Sequence, residues 1–538
     1  MLLASPGLAA RPSIDSERGR LATYVDARTA DAIGDSARAA KLFGALFAAD
    51  RSDVAIGRRA VAAGIEAGSF DRAILAARAL PPARRQLDAR LLLVADQLRR
   101  GSLAGALTEV GANDADGAFV LPLLRAWAER DARRDGDAVL NSPESAATLI
   151  APYLAEQRAY LLLASRRPAE AAPLIKIALS VAAGRETRLR FAFADGLRRT
   201  GDRAGAAALL AGQPAWLRRY ATSSPPKGVA VDNVAAAYAE LLLGLALSVG
   251  QSEDSSLPIS LAQTAHFAAP ANSEGTVILA LMLRRAGREA EALALLGAIP
   301  ANDPFVGDAR DAAVDLLGKT GRHPEAIRLA QAALDRLRDA ATVDDFARLG
   351  GAYDKADDHA AAAAAYARAT ALADQIADPN RWRYRLLRAD QLDKLGRWPE
   401  AKADLQAALG IAPDEPLVLN FLGYGELERG EDAAAAEAMI RKASALDPDD
   451  ASITDSLGWA LYKRGRLPEA IETLRAASAN DPAQAEINEH LGDALFASGR
   501  RIEARFAWRA ALVTAEAKDK GRIEVKLEHG LTPVTAAP

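Results

Sequence analysis

In the stretch AEINEHLGDALF, Glu486, Glu489, His490 and Asp493 are offset by three, four and seven residues. At the pitch of an α-helix this spacing gathers three carboxylates and an imidazole on one face. Two chemistries are open to such a set: ligation of a divalent cation, or acid–base catalysis with the imidazole as the titrating group. One reading of the chain is therefore an enzyme with a metal or acid–base site near His490. The other is that the cluster forms the polar wall of a binding surface, and the rest of the sequence favours this second reading.

Catalytic signals elsewhere are thin. The histidines, His266, His323, His359, His490 and His529, are scattered and form no H-E-x-x-H pair. With no cysteine, disulfides, thiolate metal sites and cysteine nucleophiles are excluded, as is the lipidated cysteine of a lipoprotein. GYGELERG (423–430) lacks the spacing and preceding strand of a phosphate loop, and no G-x-S-x-G occurs. Ser224-Pro225-Pro226-Lys227 has S-x-x-K spacing, but its prolines forbid the helix that would align a serine–lysine pair. No catalytic residue, cofactor or metal is expected.

Charge narrows the partners. The net charge is −4, with no basic run interleaved with aromatics, so nucleic acid is not an expected partner. Residues 1–250 carry 33 basic and 26 acidic side chains, the remainder 34 and 45. This asymmetry is either drift on solvated faces or a field that steers partners. No apolar run reaches the roughly 18–20 residues of a membrane span. The opening MLLASPGLAARPS is similar to the end of a secretory signal, with cleavage after Ala9 or Ala10, so a periplasmic location is expected. A cytoplasmic location is the alternative.

The elements that must position the cluster are helical. Half the residues are apolar but only 5% aromatic, and alternating strand patterns are nearly absent. SLGWALYKRGRLPEAIETLRAASANDP (456–482) returns 34 residues later as HLGDALFASGRRIEARFAWRAALVTAE. Gly458 aligns with Gly492, Gly465 with Gly499, Ala470 with Ala504 and Ala477 with Ala511. Each part has a physical role. The first glycine admits a crossing helix, the second ends its helix in a left-handed cap, and the alanine of the Glu-Ala pair lies where two helices touch. A proline then stops the second helix.

This pattern resembles the tetratricopeptide repeat family, a 34-residue helix–turn–helix unit with the signature W-x2-L-G-x2-Y…A-x3-F…P. The expected fold is all-α, an α-solenoid wound into a right-handed superhelix. Weaker copies run back through RRAGREAEALALL (284–296) to Gly34, Gly68 and Gly101. The expected organisation begins with an N-terminal segment (1–19) resembling a signal remnant and degenerate repeats over 20–220. An irregular linker or atypical repeat at 221–272 surrounds one apolar helix at 234–249. Further repeats follow at 273–381, four well-formed units at 382–518, and a capping helix and tail at 519–538, whose helix carries Ile523, Leu527 and Leu531.

The resemblance implies a protein-interaction scaffold or adaptor that holds a peptide or protein in a groove lined by the first helix of each unit. The inward positions are Asn420, Phe421 and Tyr424, then Asp455, Trp459 and Tyr462, then Glu489, His490, Asp493 and Phe496. They are expected on one exposed concave face, unless Trp459 and Tyr462 fill gaps between repeats. Where chaperone-tail binders of the family carry a lysine–asparagine–arginine clamp, this chain has Asp390, Asn420, Phe421, Ser452 and Ser456, so such a tail is not expected. Residues 382–531 are also similar to repeat adaptors of the Gram-negative envelope. That likeness implies an envelope protease, or a cell-wall or outer-membrane assembly factor, as partner. A cytoplasmic co-chaperone or regulatory protein of the same fold is the alternative.

Overall fold

Alanine-rich apolar stripes recurring at helical spacing, each closed by glycine or proline, give paired helices throughout. The computed structural model describes residues 14, 16–111, 118–182, 184–213, 215–225, 228–250 and 256–532. The signal-like stretch 1–13 and Lys227 of the S-x-x-K sequence lie outside them. Among the described residues every regular element is an α-helix or a short 3-10 turn, and no helix is long and apolar enough to cross a membrane. The chain divides into two units, Met1–Leu316 and Leu317–Pro538. The interruption expected at 221–272 does not separate them.

In the first unit, helix pairs such as Ser36–Ala49 with Val54–Glu66 stack in sequence, and then the chain returns on itself. Val234–Val249 forms the expected apolar helix, and a second helix follows at Ser256–Ala268. That second helix packs against Val54–Glu66 and Leu87–Arg99. Gln263 Nε2 donates to the Glu66 carbonyl at 3.0 Å, Tyr238 Oη to the Leu91 carbonyl at 2.9 Å, and Phe70 and Phe267 meet at 4.6 Å. The helices Val234–Val249 and Ser256–Ala268 are therefore core of the first unit.

A buried ion network lies beside this closure. Glu240 accepts from Arg185, from Arg188 Nε at 3.1 Å and from Asn272 Nδ2 at 2.9 Å. Arg185 also reaches Glu156 at 3.4 Å, while Glu274 stands 3.9 Å from Arg185 and 4.0 Å from Arg188. Three carboxylates thus share two guanidinium groups. Desolvation pushes the carboxyl of Glu274 up to about 8, against the attraction of Arg185 and Arg188.

The second unit follows the sequence period closely. The pairs are Arg381–Lys394 with Trp398–Ile411, Pro416–Glu428 with Ala433–Leu446, Ala451–Lys463 with Leu467–Asn480, and Ala485–Ala497 with Arg501–Thr514. Asp450 starts its helix by accepting from the amides of Ser452 (2.8 Å) and Ile453 (3.0 Å), and the next helix pair begins after Pro482. Gly465 ends the first helix at φ 75°, a left-handed conformation. A Cβ at Gly458 would stand 2.5 Å from Leu474 Cγ, so the crossing helix requires glycine. Ala470, Ala477, Ala504 and Ala511 are fully buried at the helix contacts. The terminal helix, Ala517–His529, closes the array through Ile523 and Lys526.

Candidate functional site

The helices Pro416–Glu428, Ala451–Lys463 and Ala485–Ala497 are the first helices of three successive repeats. They and the turn before the last enclose a concavity of about 260 Å³ lined by Asn420, Phe421, Tyr424, Ser452, Asp455, Ser456, Gln484 and Glu486. Its small and polar residues already bond among themselves. Ser456 Oγ donates to the Ser452 carbonyl at 3.0 Å, and Gln484 Nε2 to Ser452 Oγ at 3.2 Å. Two acceptors have no donor: the side-chain oxygen of Asn420 and Oδ1 of Asp455, both buried. An unmatched buried acceptor is costly.

Asp455 is held from behind. Its Oδ2 lies 2.8 Å from His490 Nδ1, with the imidazole fully buried. Burial opposes a charge on His490, but the Asp455 carboxylate, with Glu486 and Asp493, outweighs it and holds the imidazole above its ordinary value. Partial desolvation also holds Glu486 above the usual carboxylate range, reinforced by Asp455 and Glu489 against the pull of His490. Desolvation raises Tyr424 further, and the carboxylates of Glu428, Glu486 and Asp455 act in the same direction. The tyrosine therefore stands in a negative field.

The expectation of one exposed face needs correction. Asn420, Tyr424 and Asp455 do meet in the concavity, but Trp459, Glu489, His490 and Asp493 are sealed within the array. The Trp459 ring stacks on His490 at 4.1 Å and on Tyr462 at 4.8 Å, while its Nε1 donates to Glu428 at 2.7 Å. It fills the gap between repeats, the alternative open to it from the sequence. Tyr462 and Phe496 are half-buried, and Phe496 meets Trp508 at 5.5 Å.

The cluster on the 485–497 helix is divided among different partners. Lys526 Nζ reaches Glu489 at 2.5 Å and Asp493 at 2.8 and 2.9 Å, and Trp508 Nε1 donates to Asp493 at 2.9 Å. Arg522 also pairs with Glu489. Among the described residues, no three or more His, Cys, Asp or Glu are arranged to hold a metal ion. The buried ring of His490 is closed to substrate.

Two larger recesses of the first unit each have a charged side chain engaged. Asp195, beside a cavity of about 300 Å³, pairs with Arg198 and Arg199 at 2.7 and 2.6 Å. Arg99, beside one of about 600 Å³, lies over the Phe267 ring at 4.3 Å. The inner helices Val54–Glu66 and Leu87–Arg99 are themselves covered by Ser256–Ala268.

The last three pairs, with glycine at both the crossing (Gly423, Gly458, Gly492) and the turn (Gly430, Gly465, Gly499), define the repeat, and a model of the TPR repeat matches residues 458–499. Residues 458–499 are tetratricopeptide repeat. The chain is 38% identical over 76 residues to TPR repeat-containing protein PA4667 of Pseudomonas aeruginosa, a match covering 14% of this chain and only 13% of that protein. Among solved structures it is similar to the APC/C hetero-tetramer Cut9–Hcn1, at 15% identity and TM-score 0.39 over 95% of this chain and 96% of that one. It is also similar to yeast Tom70, at 13% identity and TM-score 0.38 over 95% of each chain. Solenoids of tetratricopeptide repeats are typically scaffolds for protein interaction.

Sequence reasoning missed two participants. Gln484 precedes its helix, where the helical register assigns no direction. Lys526 had a signal: it stands three residues after Ile523 on the buried face of the terminal repeat helix.

Proposed function

We propose that this chain is a non-catalytic scaffold that holds an extended segment of another protein in the concavity formed by Asn420, Tyr424 and Asp455. The observation that carries the reading is the pair of unmatched acceptors, Asn420 and Asp455, set among aromatic side chains on successive first helices. Peptide amides supply such donors, and the faces of Phe421 and Tyr424 supply apolar contact. A photo-crosslinking side chain introduced at Tyr424 should capture a peptide segment in living cells, whereas one at Val513, exposed on a second helix, should not. Equal capture at both positions, or none at Tyr424, overturns the reading.

The proposal extends to the bacterial cell envelope, with an envelope protease or a cell-wall or outer-membrane assembly factor as partner. The support is the resemblance to envelope adaptors read from the sequence of residues 382–531 alone. Fractionation of the native organism tests it: recovery with cytoplasmic markers alone would overturn the location.

A further inference from the structure

The lining of this concavity is one-sided. It contains two carboxylates, those of Asp455 and Glu486, and no lysine or arginine. Its buried unmatched atoms are both acceptors, Asn420 Oδ1 and Asp455 Oδ1. The second observation is independent of the charge. Asp455 lines the concavity yet is only 6% exposed; its Oδ2 is committed to His490 at 2.8 Å, while its buried Oδ1 has no donor. Among the donors of the lining, Gln484 Nε2 is spent on Ser452 Oγ at 3.2 Å and Ser456 Oγ on the Ser452 carbonyl at 3.0 Å.

Resting on the scaffold reading above, we infer that the concavity is a cation subsite, which takes an arginine or lysine side chain of the bound segment. A guanidinium is the best match, because it brings five donors and no acceptor to a wall of unmatched acceptors. Its charge faces Asp455 and Glu486, and its flat face stacks on Tyr424 or Phe421. His490 acts as a positioning residue. It fixes the rotamer of Asp455 through Oδ2 and leaves Oδ1 as the oxygen without a donor.

The test uses the full chain and acetylated, amidated hexapeptides in a positional-scanning array. The strongest arginine peptide is then measured by fluorescence anisotropy beside its citrulline and glutamate counterparts. Citrulline keeps the shape of arginine but removes the charge. Arginine should bind about tenfold or more tightly than citrulline, and the difference should shrink as salt rises. Glu486→Gln and Asp455→Asn should each reduce that ratio while leaving the citrulline peptide's affinity nearly unchanged. Asp455→Asn also disturbs His490, so the exposed Glu486→Gln keeps the test valid if the other variant does not fold. Equal affinity for arginine and citrulline, in binding that Tyr424→Ala abolishes, overturns the cation subsite and leaves the scaffold reading intact. Absence of any hexapeptide binding sensitive to Tyr424→Ala overturns the scaffold reading itself. Displacement of the peptide by spermidine at equal concentration would assign the subsite to a free polyamine and overturn the peptide assignment.

Discussion

Lys526 Nζ lies 2.9 and 2.8 Å from the two carboxylate oxygens of Asp493, and both side chains are fully buried. The pair ties the terminal helix to the first helix of the last repeat, with Glu489 as a third member at 2.5 Å. Array ends expose a face that an inner repeat would cover, and here that face holds two acids.

Removing the lysine strands those acids. Lys526→Met should destabilise the last repeat by about 3–5 kcal/mol, the usual cost of breaking a buried pair from one side. Hydrogen exchange over residues 485–529 measures it, and rapid exchange there with slow exchange in the first unit is the expected pattern. Truncation after Thr514 should leave the same acids and Trp508 uncovered and promote aggregation.

Trp459 and Tyr424 should respond in opposite ways. Trp459→Ala empties a site enclosed by His490, Tyr462 and Glu428 and should cost roughly 3–5 kcal/mol in urea denaturation. Tyr424→Ala, at the half-buried wall of the concavity, should cost much less stability. It should weaken partner binding by about 2 kcal/mol or more if it is a hot spot. Thermal melting and partner affinity measured on both variants separate the roles.

The two glycines of one repeat should fail for different reasons. Gly458→Ala drives a methyl to 2.5 Å from Leu474 Cγ and should cost about 1–3 kcal/mol through overpacking. Gly465→Ala meets no atom within 4 Å, but holds an alanine at φ 75° and should cost about 1–2 kcal/mol. Adding Leu474→Ala should rescue only the first, as a double-mutant cycle would show.

Stability of the first unit should fall with rising pH through Glu274. Its carboxyl is raised from 4.5 in the unfolded chain to about 8 in the folded one, so the folded state binds the proton more tightly. That contribution is complete below pH 4.5 and is lost as pH rises through about 8, at up to about 1.4 kcal/mol per pH unit. Glu274→Gln should flatten this part of the profile. The readout is hydrogen exchange in the helix Ser273–Arg285 across the window, with Arg185, Arg188, Glu156 and Glu240 as the charges that face the group.

The repeat was legible in the sequence because its determinants are local. A glycine that caps a helix, a glycine that admits a crossing and alanines at the contact act within one helix pair and recur at a fixed interval. So the crossing at Gly458 and the turn at Gly465 could be read from the sequence. The same register named Asn420, Tyr424 and Asp455 for the inner face.

Tertiary structure decided which inward residues remain available. Helical spacing puts Asp455 and Trp459 on one side of their helix, but the distinction between them lies with His490, more than thirty residues on, which stacks on the indole and binds one carboxylate oxygen. Glu489 and Asp493 are consumed by Lys526, on a helix outside the period. In the first unit, Ser256–Ala268 folds back over helices almost two hundred residues earlier. A periodic pattern specifies which face turns inward. Whether solvent or another helix meets that face depends on contacts between distant segments, and desolvation energy is settled only there.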